Sequence, residues 1–361
     1  MAVCPYHPTA LAQEEDRGPG LHVEKPYFDT QWNGWVLSRY SDVAAAFNSP
    51  DLVMVGAASK DEYPEVDEAA RLRMRAETRE ALSPAALRFW RRRMLHDARA
   101  RVAQFECGQP IDLIKDYAEP VCLALAILAT RPDPARGRYL AALAAHVSLA
   151  AADPLDEHLK AQSRRATEEL RPFFTTGPET MRDSGFVALS RTMVSLLGNA
   201  WFVLARHPLE WQRLHRRPAL VARGVEELQR FAGLTRLLFR RAIADTTLNG
   251  LSIRRGDRVV LNLRSANRDP ERYPEPHEFS VMRSRISHVS LGAGPHACVG
   301  APLIRMATIA TTLALVERFS SARVITPIEW QGGVGFVSPV SLPVLLGTES
   351  GPGFERNEES A

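Results

Sequence analysis

The amino-acid sequence predicts a mainly α-helical fold with small peripheral β-sheets. Apolar residues recur at three- and four-residue spacing through long stretches of the chain, the period of a half-buried helix. Alternating β-type runs are few and short, and turn pairs such as Asn249-Gly250 and Arg255-Gly256 bound them. The 361 residues show neither internal repeats nor a long linker. They read as a loose lead-in over 1–24, a single domain over 25–348 and a flexible tail over 349–361.

Taken in order, "GWVLSRY" (34–40) alternates as a short strand, and "SDVAAAFNS" supplies a serine cap and a helix. Helical spacing runs from Asp67 to Arg101 and breaks near Ser83-Pro84, where proline can open a helix but not sit inside one. "IDLIKDYAEPVCLALAIL" and "RYLAALAAHVSLAAA" read as two further helices. A long helix is expected from about Phe186 to Arg206, where His207-Pro208 stops it, and another over about Ala219–Phe231. "TTLNGLSIRRGDRVVLNL" then offers two short β runs. A Pro-rich loop, "ANRDPERYPEPHEFSVMRSR", leads to "SLGAGPHACVGAPLIRMA". An apolar helix over about Ala301–Phe319 and a strand-like tail ending "VSLPVLL" complete the chain.

Bulk properties exclude several function classes. The chain is 45% hydrophobic and 24% charged, ordinary for a globular protein. Its net charge of +3 is spread along the sequence without a basic tract interleaved with aromatics, which argues against nucleic acid as a partner. The N-terminus lacks the basic and apolar regions of a signal peptide, and no apolar run reaches the roughly 18 residues of a membrane span. A soluble, cytoplasmic protein is expected, with Cys4, Cys107, Cys122 and Cys298 as free thiols because none is paired as in C-x-x-C.

Chemistry concentrates at residues 290–307. A thiolate is favoured at a helix N-terminus, where free N–H groups supply positive potential, and Cys298 stands just before such a helix. Gly292, Gly294 and Gly300 let the backbone turn tightly and lie flat against a large planar group. His296 can donate to an anion at the edge of that plane. Heme iron with a cysteine thiolate and propionates meets these demands. The alternatives are a small buried thiol, or zinc, for which only His296 and His288 are near. The run "LGAGPHACVG" resembles the heme-binding signature F-G-x-G-x-H-x-C-x-G of the cytochrome P-450 superfamily, with Leu291 in place of the aromatic.

Other segments extend the resemblance from about residue 30 to 347. "EELQRF" places Glu227 and Arg230 at i,i+3, 71 residues before Cys298, and is similar to the family's E-x-x-R that locks the proximal loop. The third partner, usually an arginine in the Pro-rich segment, is not evident there: Glu278 takes its place, with His277 and Arg283 as substitutes. "FRRAIADTTLNG" and "RLRMR" resemble the segments that hold heme propionates, which implies Arg240, Arg71 and Arg75 beside His296. Leu237 and Leu238, just before Arg240, are expected to face the substrate; the alternative for both is core packing.

The oxygen-activation motif departs from the family. "ALSRTM" places Thr192 at the threonine position, but Arg191 replaces the acid and Leu189 the glycine. Arginine stays protonated and cannot relay a proton as a carboxylic acid does. Leu189 is expected to crowd the space kept for oxygen. Only about 62 residues separate "LALAILAT" from Thr192, so the segment that roofs the substrate pocket is short. The resemblance implies a heme b (iron protoporphyrin IX) monooxygenase, with Cys298 as the axial ligand, acting on a small, largely apolar molecule. It also implies O2 as oxidant and electrons from a ferredoxin and its reductase. Two other readings stay open: a peroxide-using variant in which Arg191 binds a substrate carboxylate, and a non-catalytic relative that activates another biosynthetic enzyme. A partner protein covering the shortened roof fits the second.

Overall fold

The computed structural model describes residues 25–30, 32–54, 68–175, 182–284 and 286–348. The expected lead-in (1–24) and tail (349–361) lie outside the described residues.

Strands β1 (Tyr27–Asp29) and β2 (Gly34–Leu37) precede helix α1 (Tyr40–Asn48) and β3 (Leu52–Met54). Next come α2 (Glu68–Ala81) and α3 (Pro84–Val102), divided at Ser83-Pro84 as the spacing predicts. Ser83 Oγ accepts the Ala86 N–H, and Pro84 occupies the first helical turn, where its missing donor costs nothing. The expected helix from Ile111 is interrupted: β4 (Pro110–Asp112) passes through a π-helical segment, Leu113–Ala118, into α4 (Glu119–Thr130). Asp112 makes the junction by accepting from the N–H groups of Ile114, Lys115 and Leu342 and from Ser341 Oγ. Burial pushes its carboxyl up, but these donors outweigh it and hold the pKa below the usual carboxylate value.

Helices α5 (Gly137–Ala152) and α6 (Glu157–Leu170) form a hairpin; α6 has no counterpart in the sequence reading. The long helix α7 runs from Asp183 to Ala205 with a π-helical stretch at Ala188–Thr192. Helices α8 (Pro208–Arg216) and α9 (Val221–Ala232) follow. Strands β5 (Leu237–Ala242), β6 (Thr246–Leu248), β7 (Leu251–Ile253) and β8 (Arg258–Asn262) lead into a single helical turn, Leu263–Ala266. Last come α10 (Ala301–Arg318), β9 (Ser321–Val324), β10 (Trp330–Gly332), β11 (Val337–Pro339) and β12 (Pro343–Gly347).

The largest sheet has the order β1-β2-β8-β5-β3 and is antiparallel apart from the parallel β2–β8 pair. A three-stranded sheet β4-β12-β9 and the hairpins β6–β7 and β10–β11 stand apart from it. At the first hairpin, Asn249 (φ 46°) and Gly250 (φ 86°) both take the left-handed turn that the Asn-Gly pair predicts.

The main core surrounds α7 and α10. Three aromatic side chains bury their rings there and spend their polar ends on α10 or its terminus. Tyr117 Oη donates to the Thr311 carbonyl, Trp201 Nε1 to Thr312 Oγ1 and Trp211 Nε1 to the Phe319 carbonyl. By length and composition α7 could cross a membrane, yet 72% of its apolar window is buried inside the protein, as befits a central core helix.

Candidate functional site

Cys298 lies three residues before α10 in an exposed position. Its N–H donates to the Leu291 carbonyl at 2.7 Å, closing the loop into a tight hook. Gly292 (φ +69°) and Gly294 (φ +58°) take conformations that strain other residues, and a Cβ on Gly294 would strike Asn48 and the Phe47 carbonyl. The loop is therefore pressed against α1. Although the residue keeps an accessible edge, the protein crowded around its thiol desolvates it and raises the pKa, while the Gly300 and Ala301 N–H groups and the charges of Arg75 and Arg305 oppose that shift.

Three of the expected anion-binding residues surround this loop. Arg75 Nη2 on α2 donates to the Ala297 carbonyl at 2.8 Å. His296 closes a short 3-10 turn, Gly294–His296, within the loop. Arg240 on β5 is buried (1% exposed), with its guanidinium 5.6 Å from the Phe47 ring centroid. A Cβ on Gly292 would contact that same ring. Arg71 lies in α2, but its side chain is outside the described residues.

Leu237 and Leu238 separate, because neighbouring strand residues point to opposite faces. Leu237 is 4% exposed and packs with Trp32, Val36, Phe239 and Val260, so the expectation that it faces the substrate is corrected. Leu238 is half-buried and shares the Arg240 face.

Helix α7 carries one stripe that is less buried than the rest, and β11 covers part of it, where Ser195 Oγ accepts from Ser338 Oγ and Asn199 Nδ2 donates to the Val337 carbonyl. Between Gly185 and Ala205 its residues are buried except Ala188, Arg191, Thr192, Ser195 and Asn199. Ala188, Thr192, Ser195 and Asn199 follow helical spacing and form a face of small or polar side chains. Thr192 ends the π-helical segment, a local widening often found at functional positions. Arg191, one position back, points elsewhere: its Nε donates to the Ala141 carbonyl and its Nη1 to Glu119 Oε1, both at 2.8 Å. Those bonds tie α7 to α4 and α5 and commit the guanidinium away from that stripe. The carboxylate-binding expectation for Arg191 is corrected accordingly. Leu189 is 5% exposed within the main core, so it does not crowd that face as its substitution for glycine suggests.

Behind the loop, the E-x-x-R pair is complete and buried. Arg230 Nε and Nη2 donate to Glu227 Oε2 and Oε1 at 2.7 and 2.8 Å, with both side chains 0% exposed. The third partner is Arg283, whose Nε donates to Glu227 Oε1 at 3.0 Å. Glu278 contributes its backbone carbonyl, which accepts from Arg230 and Arg283. His277 lies near two guanidinium groups, and burial first, then Arg268 and Arg230, lowers its pKa. Asn267, which the sequence reading did not single out, accepts the Val289 N–H and donates to Ser290 Oγ, fixing the loop entrance.

The site fits heme. A cysteine in an exposed loop position stands at a helix head, two cationic side chains and a histidine cluster about its loop, and α7 carries a half-buried stripe of small or polar side chains. The chain residues that would hold the group are Cys298 at the metal and Arg75, Arg240 and His296 at the propionates.

Comparison with known proteins agrees. A family profile described as Cytochrome P450 matches residues 202–333. The chain is similar to the polyketide biosynthesis cytochrome P450 PksS of Bacillus subtilis, at 38% identity over 164 residues covering 44% of this chain and 40% of that protein. It is also similar to nocardicin C N-oxygenase of Nocardia uniformis, at 27% identity over 90% of this chain and 92% of that one. The fold matches the crystal structure of P450BioI in complex with a fatty-acyl carrier protein, with TM-score 0.82, 20% identity and coverage of 94% of this chain and 98% of that one. Together with the cysteine loop, the buried E-x-x-R pair and its arginine partner, these similarities support the cytochrome P450 superfamily, bacterial type, whose members are heme b oxidoreductases, as the family this chain resembles in sequence and fold.

Proposed function

We propose that this protein is a heme-thiolate monooxygenase of secondary metabolism, inserting one atom of O2 into a small, largely apolar molecule with electrons from a ferredoxin and its reductase. The single observation that carries this reading is Cys298 in its exposed, glycine-hooked loop, at the N-terminus of α10. Relatives named for polyketide biosynthesis and as a nocardicin C N-oxygenase support an oxygenase of secondary metabolism.

The bound heme supplies redox chemistry at iron, tuned by electron donation from the thiolate. The chain's own residues do the rest. Arg75, Arg240 and His296 would hold the carboxylate edges of the group. The loop, pinned by Leu291 and Ala297, keeps the sulfur in place. Thr192 offers a hydroxyl on the half-buried stripe, where it can hold or pass a proton at Oγ1. The neighbouring position, an acid elsewhere in the family, holds Arg191 paired to Glu119, so proton delivery falls to Thr192 with water. Leu238 on β5 contributes an apolar wall.

The test is spectroscopic. The purified protein with heme, reduced under carbon monoxide, is expected to show the long-wavelength band that gives the family its name, and Cys298→Ser should abolish it. An imidazole-type spectrum in the wild type, or an unchanged band in the variant, would overturn the ligand assignment. Turnover supported by ferredoxin and O2 separates the monooxygenase from a non-catalytic partner protein.

A further inference from the structure

A cleft of about 20 Å³ lies between the C-terminal part of α7, the end of α9, the helical turn Leu263–Ala266 and Trp330 of β10. Its lining includes none of the residues assigned to heme. Asn199 stands on the α7 wall, about two helical turns beyond Thr192. Arg230, Arg236, Arg264 and Arg268 also line the cleft, and no aspartate or glutamate is among the described lining residues. Arg230 is spent on Glu227 and on the carbonyls of Asn267, Pro276 and Glu278. Arg268 Nη2 donates to the Phe231 carbonyl at 2.7 Å, and its guanidinium lies 4.6 Å from the centroid of that ring. Arg264 differs. It is half-buried, its Nη1 is enclosed, and no described residue accepts from its guanidinium or sets a carboxylate against it. Asn199 gives its Nδ2 to the Val337 carbonyl, which leaves its Oδ1 buried without a donor. A cationic donor and a neutral acceptor therefore stand unmet around one small space, and leaving such groups unmet is costly.

We propose that this cleft is a second ligand site, separate from the heme residues, that takes the end of a phosphate-type oxyanion carrying one O–H, as free phosphate or as a phosphate monoester. One oxygen accepts from the Arg264 guanidinium, whose planar fork suits phosphate oxygens. The O–H donates to Asn199 Oδ1. A sulfate or a halide meets the arginine alone, because neither brings a proton for the amide oxygen. A space of this size admits little more than one water-sized group, so the remainder of the ligand stays outside the cleft.

The experiment uses the heme-loaded protein, in which the propionate-binding side chains are already occupied. Inorganic phosphate, methyl phosphate, sulfate and chloride are titrated by isothermal calorimetry at one ionic strength against wild type, R264Q and N199A. Phosphate should bind the wild type about tenfold more tightly than sulfate or chloride, without moving the heme spectrum. R264Q should weaken phosphate about tenfold, the loss of one charge-assisted hydrogen bond. Its melting temperature without phosphate should stay close to that of the wild type, because Arg264 holds no described protein group through its guanidinium. N199A should lose the preference for phosphate over sulfate. Methyl phosphate binding as tightly as phosphate assigns the site to monoesters, and its exclusion assigns the site to the free ion. Equal phosphate affinity in wild type and R264Q, or wild-type binding no tighter for phosphate than for sulfate or chloride, overturns the proposal. Should R264Q fail to hold heme, N199A decides, and a phosphate preference kept there overturns it.

Discussion

Arg283 reaches 56 residues back along the chain to place its Nε 3.0 Å from Glu227 Oε1. Its Nη1 and Nη2 meanwhile donate to the carbonyls of Pro274, Glu275 and Glu278. One guanidinium therefore joins a fully buried carboxylate to the Pro-rich segment that precedes the cysteine loop. Arg283→Ala should cost about 2 kcal/mol, because it strips one partner from a buried carboxylate that keeps Arg230 and removes the donor from the Pro274 and Glu275 carbonyls, while the Glu278 carbonyl still accepts from Arg230. Thermal or urea unfolding of the apo protein measures the loss, and heme retention should fall with it. A change within experimental error would show that Glu227 and Arg230 hold the segment unaided.

Leu237 and Leu238 should respond oppositely to truncation. Leu237→Ala empties part of a packed cluster and should destabilise by about 3 kcal/mol with little effect on ligand preference. Leu238→Ala should leave stability nearly intact and alter the affinity for apolar ligands, read from ligand-induced shifts of the heme spectrum.

Thr192 lies on the half-buried stripe of a helix held by its other faces. Thr192→Val is nearly isosteric, so the melting temperature should stay close to that of the wild type. Product formed per electron pair should fall about tenfold or more, within the range a positioned proton donor contributes. A variant with unchanged product yield would remove Thr192 from the proton path.

Arg191→Ala should cost no more than about 1 kcal/mol, since the pair with Glu119 is partly exposed. It should not weaken carboxylate-bearing ligands relative to neutral ones of the same shape. A selective loss for carboxylates would restore the substrate-binding reading of this arginine.

Glu226 on α9, whose Oε1 accepts from Arg305 Nε at 2.7 Å and whose Oε2 lies 3.3 Å from His288 Nε2, predicts a pH dependence. Burial raises its carboxyl pKa, but His288 and Arg305 outweigh that effect. Its folded pKa, about 2, lies below the ordinary value of 4.5, so the stability it contributes is present above about pH 4.5 and is lost as pH falls toward 2. Melting curves of wild type and E226Q should diverge above pH 4.5 and converge in acid. Parallel curves would remove the linkage.

Local order was legible in the sequence because helical periodicity, proline breaks and the Asn-Gly turn act within a few residues. Most helix positions, the division at Ser83-Pro84 and the cysteine loop follow from such signals. Helix α6 escaped notice because its strongly charged sequence, "EHLKAQSRRATEEL", buries only Ala166 and Leu170 and owes its place to the hairpin with α5. The π-helical start at Leu113 escaped as well, because Asp112 is held by Ser341 and Leu342 from the far end of the chain.

By itself the sequence determined the chemical class: a cysteine hooked between glycines at a helix head, and a glutamate and arginine one turn apart, are contiguous patterns whose purpose does not depend on distant partners. Tertiary structure alone decided which of Glu278, His277 and Arg283 meets Glu227, that Arg191 turns to Glu119, and that of two adjacent leucines Leu237 is the one closed into the core. It also joined Glu226 to His288 and Arg305. These are matters of direction, and a side chain's direction is set by packing between segments far apart in sequence, where a rotation of one residue exchanges core for cavity.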